Sequence, residues 1–318
     1  MKYRSLGNTG IKVSEIGFGT WAIGGLTPGQ TSYGKTNDKV SFDALLTAFD
    51  LGINFFDTAN VYGNGHSEEL LGKAFKKYRT KVIIASKCGL KDYSSQHDFS
   101  NKAVRASVES SLARLQTDYL DLLQLHDPPP DIATNEKLIE TLSKLRNEGK
   151  IRAIGVSVKS PIDGLQFLKN PWQTIQCNLN MIDQRALNCG LLSQAARANI
   201  GIITRTPLAF GFLSGNFTGK AVKFEPGDHR SRWPDKQIRI WADAPNYFLE
   251  LNKNKNRTLV QLAMKFCISF DSIATTIPGI TTRDEAIENA FVSDIKLLSK
   301  TEINGIMRIG SKHKFFIK

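Results

Sequence analysis

Four side chains in the first half of the chain could do proton chemistry together: Asp57, Tyr62, Lys87 and His126. Asp57 ends the short aromatic run Asn54-Phe55-Phe56, and Tyr62 follows just ahead of Gly63-Asn64-Gly65. Lys87 closes the apolar run that begins at Val82, and His126 closes the one that begins at Leu120. An oxygen that gains negative charge during a reaction needs a proton from an acid of tuned strength. A free phenol, with a pKa of about 10, is weak for that task at neutral pH. A nearby ammonium favours phenolate and lowers the value, and a carboxylate keeps the ammonium charged and in place. An imidazole at the next strand end orients the reacting oxygen or shares in the proton relay. Singly, each residue has an ordinary explanation as a turn cap, a loop aromatic, a surface cation or a buried histidine. Their recurrence at successive strand ends is what points to chemistry.

Elements of one repeating kind must position these groups. Residues 2–13 read as a small hairpin turning at Gly7-Asn8-Thr9-Gly10. Strands are expected over 15–21, 54–57, 82–87, 119–125, 153–157, 174–178, 201–204 and 273–277. Helices are expected over 38–51, from 67 with Ser67 as cap and Glu68 and Glu69 in the first turn, and over 102–115 and 135–148. Further helices are expected over 161–168, 187–198, 235–252, 258–270, 283–290 and 298–308. Eight strands alternating with helices predict a (β/α)8 TIM barrel with an N-terminal β-hairpin and extended loops on its C-terminal face, as a single domain over 1–318. Parallel α/β folds collect their chemistry at the carboxyl ends of the strands, where the four residues fall.

A doubly wound sheet would carry Gly-x-Gly-x-x-Gly after its first strand, and Gly17-Phe18-Gly19 up to Gly24 does not fit that spacing. Gly29 to Thr36 does satisfy the phosphate-loop pattern Gly-x-x-x-x-Gly-Lys-Thr. That motif needs a strand running straight into its first glycine, whereas Ala22 to Pro28 intervenes here, so the match is a decoy.

Composition sets the bounds. At 318 residues, 41% hydrophobic and 23% charged, the chain has the make-up of a soluble enzyme. No apolar run approaches the roughly 20 residues of a membrane span, and the first residues lack a signal-peptide core. Cys88, Cys177, Cys189 and Cys267 form no Cys-x-x-Cys pair, which fits reduced thiols in the cytoplasm. The five histidines show no ligand-like clustering, so no metal site is expected. The net charge of +12 favours anionic small molecules. The basic residues are spread out and not interleaved with aromatics, which argues against nucleic acid.

Asp57-Thr58-Ala59-Asn60-Val61-Tyr62, the Gly65 to Phe75 segment, the Lys87 strand and the run ending in His126 resemble the aldo-keto reductase family. The likeness extends from Leu6 to Glu288 and Asn289. It implies a barrel that binds NADPH, or less often NADH, with Tyr62 as general acid, Lys87 modulating it, Asp57 partnering Lys87 and His126 orienting a small-molecule carbonyl substrate. It further implies that Gly19, Thr20 and Trp21, with Asp57, meet the nicotinamide half, and that Ser157 and Gln176 hold the carboxamide. Val158 stands where asparagine is common, and Leu179 where a stacking tyrosine is common. Arg205 replaces a Tyr-Ser pair and could meet the cofactor or a substrate anion.

By the same resemblance, Thr206, Pro207, Leu208 and Gly211 belong to the loop over the pyrophosphate. Gly279, Thr281, Arg283, Glu288 and Asn289 belong to the adenosine site, with Arg283 and the threonines suited to a 2′-phosphate. NADPH is therefore expected over NADH. Trp21, Tyr33, Asp127 and Trp233 are expected to shape the substrate pocket, and 212–234 to form a lid or specificity loop. The activity so implied is reduction of an aldehyde or ketone to an alcohol. Two competitors are a non-catalytic nucleotide-binding redox sensor and a Schiff-base aldolase working through Lys87.

Overall fold

The computed structural model describes residues 1–27, 31–92, 96–253 and 255–317. The chain begins with the antiparallel hairpin β1 (Tyr3–Ser5) and β2 (Lys12–Ser14). Leu6, Ile11 and Val13 of this hairpin are buried against Phe55, Ala85, Leu122, Ala153, Ile203 and Ala274. The hairpin therefore closes one end of the barrel with apolar side chains, and chemistry is left to the other end.

Eight parallel strands follow: β3 (Phe18–Gly19), β4 (Phe55–Asp57), β5 (Ile83–Cys88), β6 (Leu120–His126), β7 (Ile151–Ser157), β8 (Thr174–Asn178), β9 (Gly201–Arg205) and β10 (Ile273–Ile277). Each pairs with its neighbours in sequence. The Gly17 and Gly19 amides donate to Thr276 O and Pro278 O at 2.8 and 2.9 Å, so the first strand meets the last and the sheet closes.

Side chains alternate along each strand, and this period places the site. Phe55, Ala85 and Leu122 belong to the inner core. Phe56, Ile84 and Leu123 belong to the layer between strands and helices. Two residues beyond the inner positions lie Asp57, Lys87 and Gln124, and His126 is two further on. The candidate site side chains thus continue the inward-facing rows.

The helices are α1 (Asp38–Asp50), α2 (His66–Phe75), α3 (Asn101–Leu115), α4 (Glu136–Asn147), α5 (Arg185–Asn188), α6 (Leu191–Ala198), α7 (Asp235–Asp243), α8 (Leu249–Asn252), α9 (Leu259–Cys267), α10 (Arg283–Phe291) and α11 (Lys300–Lys312). Side-chain caps start most of the long ones: Asn37, Ser100, Asn135, Thr282, and capping boxes at Thr258/Gln261 and Ser299/Glu302.

Several elements differ from the sequence expectation. The first strand is two residues long, because Thr20–Ile23 turns into a 3-10 helix. Residues 161–168 give only a 3-10 turn, Asp163–Phe167. The helix expected over 187–198 breaks at Gly190, whose φ of 76° lies in the left-handed region. The one expected over 235–252 breaks at Ala244-Pro245, where proline lacks the amide the helix needs. Ser67 is not the cap of α2, for Gly65 holds that place. Instead the Ser67 hydroxyl lies 2.6 Å from Thr20 Oγ1 and 3.0 Å from Thr58 Oγ1, tying three segments together beneath the site. Glu68, also expected simply at the helix start, is buried and bonded to Ser86 and Arg114.

Candidate active site

Lys87 is the centre of the buried array. Its ammonium donates to Asp57 Oδ1 at 2.5 Å, to Thr58 O at 2.9 Å and to the Tyr62 hydroxyl at 3.1 Å. Asp57 Oδ2 accepts from Gln124 Nε2 at 2.9 Å and from Gln176 Nε2 at 2.7 Å. Ser157 Oγ donates to Gln176 Oε1 at 3.2 Å. Ser157 and Gln176, expected to hold a cofactor amide, here form a chain that anchors Asp57. Gln124 was missed in the sequence although it sits on the same inward row as Lys87's partners.

Tyr62 reaches Lys87 from a loop, so its position depends on local backbone. Gly63 has φ of 60°, and a Cβ there would strike Gly24 O. The two loops after β3 and β4 therefore pack backbone to backbone. Trp21 lies 6.4 Å from the Tyr62 ring, and His126 meets that ring edge-on at 6.2 Å.

Charge in this array departs from the sequence expectation. Burial, and then the Asp57 carboxylate, push the Tyr62 phenol up from its ordinary value, with Arg205 opposing. Lys87 sits against Asp57, so the carboxylate offsets the field of its cation at the phenol. The phenol is thus held protonated, not drawn toward phenolate. Burial and the Lys87 and Arg205 cations hold the His126 imidazole well below its usual range, hence neutral. Burial also lowers Lys87, with Asp57 working against it.

A cavity of about 620 Å³ opens above this array. Asp57, Tyr62, His126, Asp127, Gln176 and Arg205 line its inner part. Gly19, Thr20, Trp21 and Tyr33 form one wall, and Thr206, Pro207, Leu208 and Gly211 another. Gly279, Thr281, Glu288 and Asn289 line its far end. Thr20 is buried with its hydroxyl donating to Asp57 O at 2.9 Å.

Four expected residues lie elsewhere. Lys87 and Ser157 are fully buried beneath the wall. Arg283 is exposed at the start of α10 and lies outside the lining. Trp233 packs behind the wall, against Phe210 at 4.8 Å and His229 at 5.1 Å. Leu179, in the position of a stacking ring, is fully buried and away from the cavity.

The 212–234 segment folds over the loop that carries Tyr33. The His229 amide donates to Ser32 O at 2.7 Å, and His229 sits among Trp21, Tyr33 and Phe210. Burial pushes His229 down to about 4. Gly29, the first glycine of the phosphate-loop match, lies outside the described residues. The Gly34 amide is bonded to Ser32 Oγ at 3.2 Å.

The sequence reading missed Asn178, Phe210, Arg230 and Glu285, all of which line the cavity. Asn178 was findable, because it follows Gln176 by two on β8 and pairs with Arg205 in register. Glu285 needed the fold, for its carboxylate turns back to the Thr281 amide and hydroxyl at 2.6 and 2.8 Å.

Lys87 offers nothing to a Schiff-base aldolase. It has three hydrogen-bond acceptors for its three N–H groups, and it does not line the cavity. Among the described residues, no group of three metal-ligating side chains occurs, and no helix is long and apolar enough to cross a membrane.

Comparison with known proteins places the fold in a family. Residues 15–310 match the model of the aldo/keto reductase family. The chain is 38% identical over 279 residues to the aldo-keto reductase YhdN of Bacillus subtilis, covering 84% of this chain and 81% of the relative. It is 31% identical over 312 residues to L-galactose dehydrogenase of Arabidopsis thaliana, covering 94% and 90%. It is 30% identical over 316 residues to the NADH-specific methylglyoxal reductase of Escherichia coli, covering 93% and 95%. Among solved structures, a Bacillus halodurans aldo-keto reductase in its holo form superposes with a TM-score of 0.79 at 26% identity, covering 97% of this chain and 96% of the other. A Gluconobacter oxydans glycerol dehydrogenase gives 0.80 at 27%, covering 99% and 97%. With a shared fold, a buried Asp57-Lys87-Tyr62 array and a family match over nearly its whole length, this chain belongs to the aldo/keto reductase family.

Proposed function

We propose that the chain, acting as one barrel domain over 1–318, reduces a small aldehyde or ketone to an alcohol with a nicotinamide dinucleotide. The observation that carries this reading is the Tyr62 hydroxyl, fixed by Lys87 at 3.1 Å and facing a cavity shared with His126. The cavity fits such a cofactor. It runs from Tyr62 to Asn289, and Asn178 Oδ1 in its wall is buried without a hydrogen-bond partner in the chain, an acceptor suited to a carboxamide N–H. Asn178, Thr206 to Gly211, and Gly279 to Asn289 would hold the cofactor, which when bound supplies a hydride.

The chain's own residues supply the proton. Because the phenol oxygen accepts from Lys87, the Tyr62 O–H is left to donate toward the cavity. Negative charge growing on a carbonyl oxygen there draws this proton, and the phenolate that remains keeps the Lys87 N–H. Asp57, held by Gln124 and Gln176, keeps the lysine charged through the transfer. Neutral His126 offers the same oxygen a hydrogen bond without adding charge.

The far end of the cavity turns the cofactor reading toward NADH. Glu285 and Glu288 line it, the Thr281 and Thr282 hydroxyls are engaged with Glu285, and Arg283 stands outside. Carboxylates suit ribose hydroxyls and oppose a 2′-phosphate. One relative's description as NADH-specific supports the same preference. The four free cysteines fit a cytoplasmic protein.

The test is a titration of purified protein with NADH and with NADPH, following quenching of tryptophan fluorescence. Turnover of a panel of aldehydes and ketones follows, read by loss of nicotinamide absorbance. Binding with turnover is expected. Binding without turnover would support a non-catalytic nucleotide sensor, and no binding would overturn the reading.

A further inference from the structure

On the helix side of the sheet, behind the contact between Tyr62 and Lys87, lies a second buried ion pair that the chemistry above does not use. Glu68 is fully buried in the first turn of α2. Its Oε1 accepts from Ser86 Oγ at 2.5 Å, and its Oε2 accepts from Arg114 Nε at 2.7 Å. The three residues come from α2, β5 and α3.

Each contact ends close in the chain to one half of the proton-donating pair. Ser86 directly precedes Lys87, and the two-residue period of the strand turns Ser86 toward the helices while Lys87 faces the barrel. A bond held at Ser86 therefore fixes the backbone from which the ammonium projects. Arg114 runs under Gly65, where an added Cβ would stand 2.5 Å from its Cδ and 2.8 Å from its Nε. Gly65 lies three residues after Tyr62 and directly precedes α2.

The turn between Tyr62 and α2 has little of its own to hold it. Gly63, Asn64 and Gly65 take φ of 60, 54 and 97°, and the two glycines have no side chain. No side-chain cap fastens the first amides of α2. A run of left-handed residues persists where its surroundings over-determine it, and here those surroundings include Arg114 and the carboxylate that it binds.

Stability alone does not account for the pair. Apolar residues of similar volume often do as well as a buried ion pair, because both charges must be stripped of water to form it. What an apolar contact lacks is direction. Hydrogen bonds from Ser86 and Arg114 to one carboxylate set the start of α2 against β5 in distance and in angle.

We infer that Glu68, with Ser86 and Arg114, is a positioning residue: its carboxylate ties the strand of Lys87 to the turn of Tyr62 and so sets the 3.1 Å between ammonium and phenol. This rests on the reading of Tyr62 as proton donor. None of the three residues lines the cavity, so loss of the tie leaves the binding walls in place.

The experiment removes both charges together, Glu68→Met with Arg114→Met, so that neither is left buried alone. Ser86→Ala carries the same test at the strand and keeps the ion pair. Urea denaturation establishes that each variant is folded. For a carbonyl compound that the wild type reduces, the single-turnover rate at saturation is expected to fall about 10- to 100-fold in the double variant. A smaller fall is expected in Ser86→Ala, with nicotinamide Kd and carbonyl KM nearly unchanged in both. The solvent deuterium isotope effect on that rate should rise, since a displaced phenol makes proton transfer the slower step. A folded variant with the wild-type rate and isotope effect, or a loss carried by Kd or KM, would overturn the tie while leaving the reductase reading standing. A wild type that binds cofactor and reduces no carbonyl compound would overturn both.

Discussion

The Lys87 ammonium stands 3.1 Å from the Tyr62 hydroxyl, and the bond runs from nitrogen to phenol oxygen. The direction matters, because a phenol that accepts from lysine has its own proton free for a substrate. Burial also pushes that phenol up from its ordinary value, which suits the proton-donor role proposed for Tyr62.

Replacing Tyr62 by Phe removes the proton and little else. Turnover should fall by about 10²- to 10⁴-fold, the range for loss of a general acid, with nicotinamide affinity nearly unchanged. Single-turnover kinetics and fluorescence titration check the two halves. Undiminished turnover would remove Tyr62 from its assigned role.

Lys87→Met should cripple reduction and also weaken the fold. It leaves the Asp57 carboxylate buried without its cation, a loss of about 3–5 kcal/mol when one partner of a buried pair is removed. Urea denaturation should show the loss, and adding Asp57→Asn should recover part of it. Full stability in the single variant would mean that the pair contributes nothing.

Gly63→Ala probes how the tyrosine is placed. The left-handed backbone and the contact with Gly24 O make the substitution cost about 1–3 kcal/mol and shift the Tyr62 loop. A reduced kcat with cofactor affinity intact is expected. Wild-type kcat would show that the loop packing does not set the geometry.

Stability should depend on pH through the aromatic cluster. The His229 pKa lies at about 4 in the folded chain against an ordinary 6.5, because burial disfavours its cation. The unfolded chain then binds the proton first as pH falls. Stability from this residue is complete above pH 6.5, declines toward pH 4, and is reduced by about 3 kcal/mol in all. His229→Gln should flatten that decline in urea midpoints measured across the window. An unchanged slope would place the titration elsewhere.

Glu285→Ala tests the cofactor end. Removing a carboxylate that opposes a 2′-phosphate should raise NADPH affinity relative to NADH by about tenfold, or roughly 1.4 kcal/mol. Paired Kd measurements decide it. An unchanged ratio would clear Glu285, and a loss of NADPH affinity alone in Arg283→Ala would return the exposed arginine to the site.

The sequence by itself determined the barrel and the row of candidate site residues. Apolar runs ending in Asp57, Lys87 and His126 mark strand ends, and the two-residue period fixes which side chains face inward. These are local properties, set by backbone geometry and burial. Periodicity was less informative where propensity met tertiary packing: the helices expected over 161–168, 187–198 and 235–252 shortened or broke at glycine and proline. What the tertiary structure decided was partnership. Gln124 and Gln176 bond Asp57 across 67 and 119 residues of chain. The 212–234 segment returns to Ser32, Glu285 turns back onto Thr281 at the cavity rim while Arg283 lies outside the lining, and Asp127 and Arg205 form an ion pair at 3.7 Å. The charge state followed the same rule. A lysine beside a tyrosine suggests a lowered phenol pKa, but only burial and the position of Asp57 revealed that the proton stays on Tyr62. Electrostatic balance depends on distances between remote residues and on solvent exclusion, and neither is written in local order along the chain.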